Sequence, residues 1–317
     1  MPANDHTTVA VVGVGAVGST TAFSLVTHGV ASELILVDVD EARATGEAMD
    51  LSHGAYFAPP VDVRTGDYED CWDADVVVVT AGASQQDGET RLDLLERNAD
   101  IFEEMIPAIT EGMAEDGVLL VVTNPVDVLT RLAWELSDLP AEQVIGSGTT
   151  LDTSRFRHAL GERCDVDANH IHGYVVGEHG DSEVPLWSST TVAGLPVDDY
   201  LAQHGEPFAE GEKADIAETV RNAAYEVIDR KGATNYAIAL AATDIVEAVV
   251  RDEEVVLPVS TRMTGQYGLE DVFLSLPCVL DRGGVRDVIE PTLSASERDA
   301  LEHSANVLRE SRAALEE

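Results

Sequence analysis

Lysine is nearly absent from this chain. Lys213 and Lys231 are the only two in 317 residues, and lysine and arginine together number 19 against 59 aspartates and glutamates. The formal charge is therefore −40, roughly one net negative charge per eight residues. Nucleic acids and anionic membrane surfaces are poor partners for such a protein. No apolar run approaches the ~18–20 residues of a membrane span, and residues 1–6 do not resemble a basic, apolar leader, so a cytoplasmic location is expected. Cysteine is scarce too: Cys71, Cys164 and Cys278 are odd in number and widely spaced, which supports neither a disulfide framework nor a zinc knuckle. No metal site is expected.

The acid excess runs along the whole chain and is not confined to a tail. In dilute buffer such a charge makes the compact state repel itself, whereas at molar salt the Debye length shrinks to about 3 Å. The composition reads as adaptation to a salt-saturated cytoplasm. At 44% hydrophobic, the chain has the material for one large core or two ordinary ones.

The apolar runs come as short unalternated stretches, residues 7–13, 33–38 (ELILVD), 75–80 (DVVVVT) and 118–123 (VLLVVT), each followed by a helical pattern. Such runs mark strands buried on both faces of a parallel sheet. The expected fold is α/β: a doubly wound (Rossmann) parallel sheet over residues 1–146, then a mixed α+β domain over residues 147–317. In the second half the pattern predicts helices at 151–160, 209–230, 235–250 and from Ser294. Strands are predicted near 171–176, 188–192, 255–261 and 272–280.

Gly13, Gly15 and Gly18 form a G-x-G-x-x-G directly after the first strand and ahead of a helix over 16–28 that Gly29 closes. In that context the motif fits a dinucleotide site. Gly13 permits the turn, Gly15 lets the backbone approach a pyrophosphate, Gly18 allows close helix packing, and the helix N-terminus supplies positive potential. Asp38, 20 residues after Gly18 at the end of the second strand, suits a ribose 2′-hydroxyl and repels a 2′-phosphate. NAD is expected over NADP.

Four polar segments follow: 82–97 (GASQQDGETRLDLLER), 123–127 (TNPVD), 151–157 (LDTSRFR) and 177–182 (GEHGDS). Singly, Arg91 could be a solvated helix start, Asn124-Pro125 a turn, Asp152 a helix N-cap and His179-Gly180-Asp181 a hairpin tip. Together and in this order behind a dinucleotide fold, they resemble the L-lactate/malate dehydrogenase family from Thr7 to about Val288. That resemblance implies His179 as acid/base, Asp152 as its orienting carboxylate, Arg155 as the substrate-carboxylate clamp and Arg91 as the group polarising the reacting carbonyl. It gives Asn124 to the substrate oxygen and the nicotinamide region, and makes residues 82–88 a lid. The residue types suit the chemistry: histidine titrates near neutrality, a buried carboxylate fixes its tautomer, and a guanidinium grips a planar carboxylate with two parallel N–H bonds.

Within the family the lid residue six before the polarising arginine sets the substrate side chain. Malate-specific relatives carry arginine there; here it is Gln85. A second substrate carboxylate opposite a neutral amide would lack a charge partner, so the resemblance favours pyruvate and L-lactate. Residues 146–150 (GSGTT) and Thr234 in the pocket segment lean the same way. Malate dehydrogenase and a non-catalytic Rossmann cofactor-binding protein stay open as alternatives. The resemblance further suggests a homotetramer, and Arg157 and His172 match positions that bind fructose 1,6-bisphosphate between subunits of bacterial relatives.

Overall fold

The computed structural model describes residues 7–83 and 91–315. Its first half alternates strand and helix: β1 (Thr8–Val12), α1 (Ala16–His28), β2 (Glu33–Val37), α2 (Glu41–Gly54), β3 (Asp62–Thr65), β4 (Val76–Val79), α3 (Arg91–Thr110), β5 (Val118–Val121), α4 (Val126–Leu136) and β6 (Val144–Gly146). These strands lie parallel in the order β3-β2-β1-β4-β5-β6. The order reverses between β1 and β4, and the crevice beyond the carboxyl ends of those strands is where such folds hold dinucleotides.

The unalternated runs are explained by burial on both faces. Val9, Val11, Leu34, Leu36, Val76 and Val78 enter one apolar cluster, with Leu25 of α1. Their neighbours Ala10, Val12, Ile35, Val37, Val77 and Val79 enter the other, with Phe102 and Ile106 of α3 and Leu129 of α4. Side chains alternate along a strand, so apolar residues at every position require cover on both sides.

The second half contains α5 (Thr150–Cys164), β7 (Ile171–His172), β8 (Val175–Val176), β9 (Val184–Pro185), β10 (Thr191–Val192), β11 (Leu195–Pro196), α6 (Val197–Gln203), α7 (Glu212–Lys231), α8 (Tyr236–Val250), β12 (Val255–Thr264), β13 (Glu270–Asp281), β14 (Gly284–Val288) and α9 (Ala295–Ala314). Among the described residues the main sheet has nine strands, because β12, β13 and β14 continue it antiparallel beyond β6. The junction is narrow: β6 and β12 meet in register only at Gly146 and Ser260.

Two expected strands differ. The run 171–176 is split: β7 pairs with β10 and β8 with β9, in separate small sheets. The break falls at Gly173, where a Cβ would lie 2.6 Å from Thr190 Oγ1. The run 188–192 forms a strand only at Thr191–Val192, after a 3-10 turn over Trp187–Ser189. β3 escaped the sequence reading because it is a polar edge strand in which only Val63 is buried.

Candidate active site

The glycine loop separates what the fold requires from what a ligand requires. Gly13 has φ +89°, and a Cβ there would lie 2.5 Å from the Ala81 backbone; one on Gly18 would lie 1.9 Å from the Gly13 carbonyl oxygen. Both are demanded by packing. A Cβ on Gly15 meets nothing within 4 Å, so nothing in the chain explains that glycine, whereas a phosphate cradled at the α1 N-terminus does. Asp38 Oδ2 accepts the Val14 N–H at 2.7 Å and Oδ1 that of Asp40 at 2.9 Å. Each oxygen keeps a lone pair for a ribose hydroxyl. These residues fit NAD.

The second cluster joins three elements. Asp152 lies in the first turn of α5, which Thr149 and Thr153 fasten to the Val175 backbone of β8. His179 sits in the loop joining β8 to β9, so the segment is a hairpin tip as well as a site. The loop is pinned at Gly177, whose backbone exchanges two 2.9 Å hydrogen bonds with Ser275 of β13, and at Glu178, whose N–H donates to Ser304 Oγ of α9 at 2.7 Å. Asp152 is 2% exposed and does not cap its helix. Its Oδ2 lies 2.5 Å from His179 Nδ1, and its Oδ1 accepts from Arg155 Nη1 at 2.7 Å. A second carboxylate backs the histidine: Asp127 of α4, buried, accepts the His179 backbone N–H at 2.8 Å.

Burial alone would push the imidazole pKa down. The Asp152 charge and hydrogen bond, with Asp127 behind them, outweigh it and carry His179 up to about 9. Asp152 is lowered: burial opposes ionisation, but His179 and Arg155 overcome it. Asp127 goes the other way, raised to about 6 by burial despite Ser260 and the His179 N–H. The result is a positively charged imidazole held by one firmly ionised carboxylate beside a guanidinium. Such a cluster can grip an anionic substrate and pass it a proton.

Residues 7–146 match the profile of the lactate/malate dehydrogenase NAD binding domain, and residues 149–317 that of the family's alpha/beta C-terminal domain. The chain belongs to the lactate/malate dehydrogenase family. It is 48% identical over 306 residues to L-lactate dehydrogenase 1 of Clostridium acetobutylicum, covering 96% of this chain and 97% of that protein. An L-lactate dehydrogenase of Clostridium botulinum is 48% identical over 303 residues, or 96% of this chain and 95% of that protein. Among solved structures, the chain resembles a ligand-bound minor L-lactate dehydrogenase of Enterococcus mundtii, with TM-score 0.93, 42% identity and 99% of this chain and 98% of that one covered. A lactate dehydrogenase from a Medee basin deep-sea metagenome library gives TM-score 0.94 at 42% identity, with 98% and 99% covered.

The other residues that the family resemblance singled out are placed as follows. The Asn124 carbonyl accepts from Asn98 Nδ2 at 2.9 Å, and Asn98 Oδ1 accepts the Ala83 N–H at 2.7 Å, which ties Ala83 to the segment that follows β5. The Asn124–Pro125 peptide is cis. Arg91 opens α3, but its side chain lies outside the described residues, as does Gln85. Thr234 is half-buried between α7 and α8, and among the described residues no hydrogen bond links it to the His179 cluster. Arg157 leaves α5 on a different face from Arg155: its Nε donates to the Gly173 carbonyl at 2.9 Å and its guanidinium lies 5.1 Å above the Tyr174 ring. Gly173 directly follows His172, the exposed residue of β7. Arg157 also lines a 470 Å³ cavity with His28, Ser154, Asn169, Asp244 and Glu247.

Sequence reading missed Asp127 and Asn98. Asp127 carried a usable signal, a lone acid among the apolar residues of the first turn of α4 (VDVL), yet an acid there is the ordinary complement of a helix dipole. Asn98 carried none, since its burial depends on packing between distant elements. Among the described residues no cluster could hold a metal ion and no helix is long and apolar enough to cross a membrane.

Proposed function

We propose that the chain is an NAD-dependent L-lactate dehydrogenase that interconverts pyruvate and L-lactate. The observation that carries this reading is the buried contact of Asp152 with both His179 and Arg155, directly beyond a dinucleotide fold. Residues 1–146 would hold the cofactor through Gly13, Gly15, Gly18, Asp38 and Asn124, and residues 147–317 the substrate chemistry. NAD supplies a hydride to the carbonyl carbon in its reduced form and accepts one in its oxidised form.

The remaining work falls to side chains. Arg155 holds the substrate carboxylate. His179 hands its proton to the carbonyl oxygen, or takes it back from lactate, through Nε2, which has no partner among the described residues; Nδ1 is engaged by Asp152. Arg91 polarises the carbonyl when the lid closes, Asn124 orients its oxygen, and Gln85 and Thr234 complete a pocket sized for a methyl group. NADH oxidation measured with pyruvate and with oxaloacetate in molar KCl tests the substrate. Faster turnover of pyruvate is expected, whereas a preference for oxaloacetate would overturn the lactate reading and leave fold and proton chemistry intact.

The finer parts of the reading concern assembly and setting: a cytoplasmic homotetramer from a halophile. Arg157 and His172 form an anion site for fructose 1,6-bisphosphate across a twofold axis, a reading supported by the Arg157 bond to the residue that follows His172. Saturating fructose bisphosphate is expected to lower the KM for pyruvate or raise the tetramer fraction. No change in either would sink the effector site.

A further inference from the structure

Three successive backbone N–H groups hold the loop that carries His179. Gly177 donates to the Ser275 carbonyl of β13 at 2.9 Å, Glu178 to Ser304 Oγ of α9 at 2.7 Å, and His179 to Asp127 Oδ2 of α4 at 2.8 Å. The imidazole is held as well, by Asp152 of α5 at Nδ1. Ser275, Ser304 and Asp152 all lie with His179 in the C-terminal half, residues 149–317. Asp127 comes from the NAD binding half, residues 7–146, so its bond is the one of these four that crosses between the halves.

α4 begins after a four-residue turn from β5, at the carboxyl edge of the parallel sheet where such folds hold a dinucleotide. That turn is itself fixed: Thr123 Oγ1 donates to the Ala81 carbonyl at 2.7 Å, and Asn98 Nδ2 of α3 to the Asn124 carbonyl at 2.9 Å. Asp127 follows directly in the first turn of α4, 2% exposed, and its Oδ1 is buried without a hydrogen-bond partner among the described residues. Burial raises its pKa to about 6, so an acid at this place weakens the folded state at neutral pH. An apolar residue would avoid that cost but leave the buried His179 N–H without its acceptor.

We propose that Asp127 is a positioning residue: by accepting the His179 backbone N–H it fixes the proton donor against the turn that follows β5, so that both halves of the chain hold acid and cofactor in one frame. The working part is an acceptor oxygen in the right place, not the negative charge. The inference rests on His179 being the acid/base of the proposed reaction. A shift of about 1 Å in a reacting group can cost about a hundredfold in rate, and Asp127 needs to touch neither substrate nor cofactor to prevent it.

The test compares Asp127→Asn, Asp127→Glu and Asp127→Ala with the wild type at about pH 7 in molar KCl: kcat and KM for pyruvate, NADH affinity by fluorescence titration, and melting curves. Asp127→Ala is expected to lower kcat about 10–100-fold while KM and NADH affinity stay within about threefold, because His179 is displaced and neither Arg155 nor the glycine loop is. Asp127→Asn keeps the acceptor and loses the charge, and should hold kcat within about threefold of the wild type. Asp127→Glu keeps the charge but moves the oxygens out by a methylene, and should fall close to Asp127→Ala. Should Asp127→Ala fail to fold, the order of the Asn variant above the Glu variant decides alone. A Glu variant as active as the Asn variant or more so, or an Ala variant whose loss lies in KM with kcat unchanged, overturns the inference. If the wild type prefers oxaloacetate, the same comparison runs on that substrate and the lactate reading alone falls. A wild type that turns over neither overturns the proposed function, and this inference with it.

Discussion

His179 is gripped at two points by two carboxylates of opposite habit. Asp152, beside a guanidinium and bonded to the imidazole, stays ionised although buried; Asp127, bonded only to the His179 backbone N–H and with no guanidinium beside it, is raised by burial to about 6. The difference is one of partners, since both are 2% exposed. Asp152 therefore supplies the charge that keeps the imidazole protonated to about 9. In Asp152→Asn that charge is gone, burial dominates, and the imidazole pKa falls below its ordinary ~6.5. At pH 7 the kcat/KM for pyruvate reduction is expected to drop about 10²–10⁴-fold, and its alkaline limb to move toward acid pH. A pH–rate profile checks this: an unmoved limb would take the proton step away from the His179–Asp152 pair. The pair also couples to stability. The folded-state pKa of His179 lies above its unfolded value, so its contribution is complete below about pH 6.5 and is lost as pH rises through about 9.

At the scale of elements, the glycine loop allows a clean separation of folding from binding. Gly18→Ala places a Cβ 1.9 Å from the Gly13 carbonyl, where only backbone movement can relieve it, and is expected to lower the melting temperature even without cofactor. Gly15→Ala meets open space in the free protein and should melt close to the wild type while weakening NADH binding by tenfold or more, about 1.4 kcal/mol. Fluorescence titration with NADH beside melting curves of both variants checks the pair; equal effects on both readouts would remove the cradle argument. The same contrast shows what the sequence made legible. β1, α1 and Gly29 were readable because periodicity and glycine placement are local, and Asp152 and His179 because their residue types recur in a recognisable order. The continuation of the sheet through β12, β13 and β14 was not readable, because it hangs on one register contact between Gly146 and Ser260, more than a hundred residues apart.

At the scale of the whole molecule the charge of −40 sets the conditions under which any of these elements stay together. Several large apolar side chains are exposed in the single chain, including Tyr56 and Phe57 at 88% and 87% just beyond α2, and Met49 within it at 56%. A patch of this kind favours association of subunits, while like charge opposes it. The balance depends on ionic strength, because the Debye length falls from about 10 Å at 0.1 M to about 3 Å at 1 M. The degree of subunit association by light scattering and the melting temperature are therefore both expected to be higher at about 3 M KCl than at about 0.1 M. The shape of the rise identifies its cause. Screening is almost exhausted by about 0.5 M, where the Debye length is already near 4 Å, so a gain that saturates there belongs to charge repulsion. A gain that continues to molar salt belongs to strengthened burial of the apolar surface, and substituting Tyr56 and Phe57 with serine should then flatten the high-salt part of the curve alone. Equal association and equal melting at both salt concentrations would leave the acidic surface without a role in assembly.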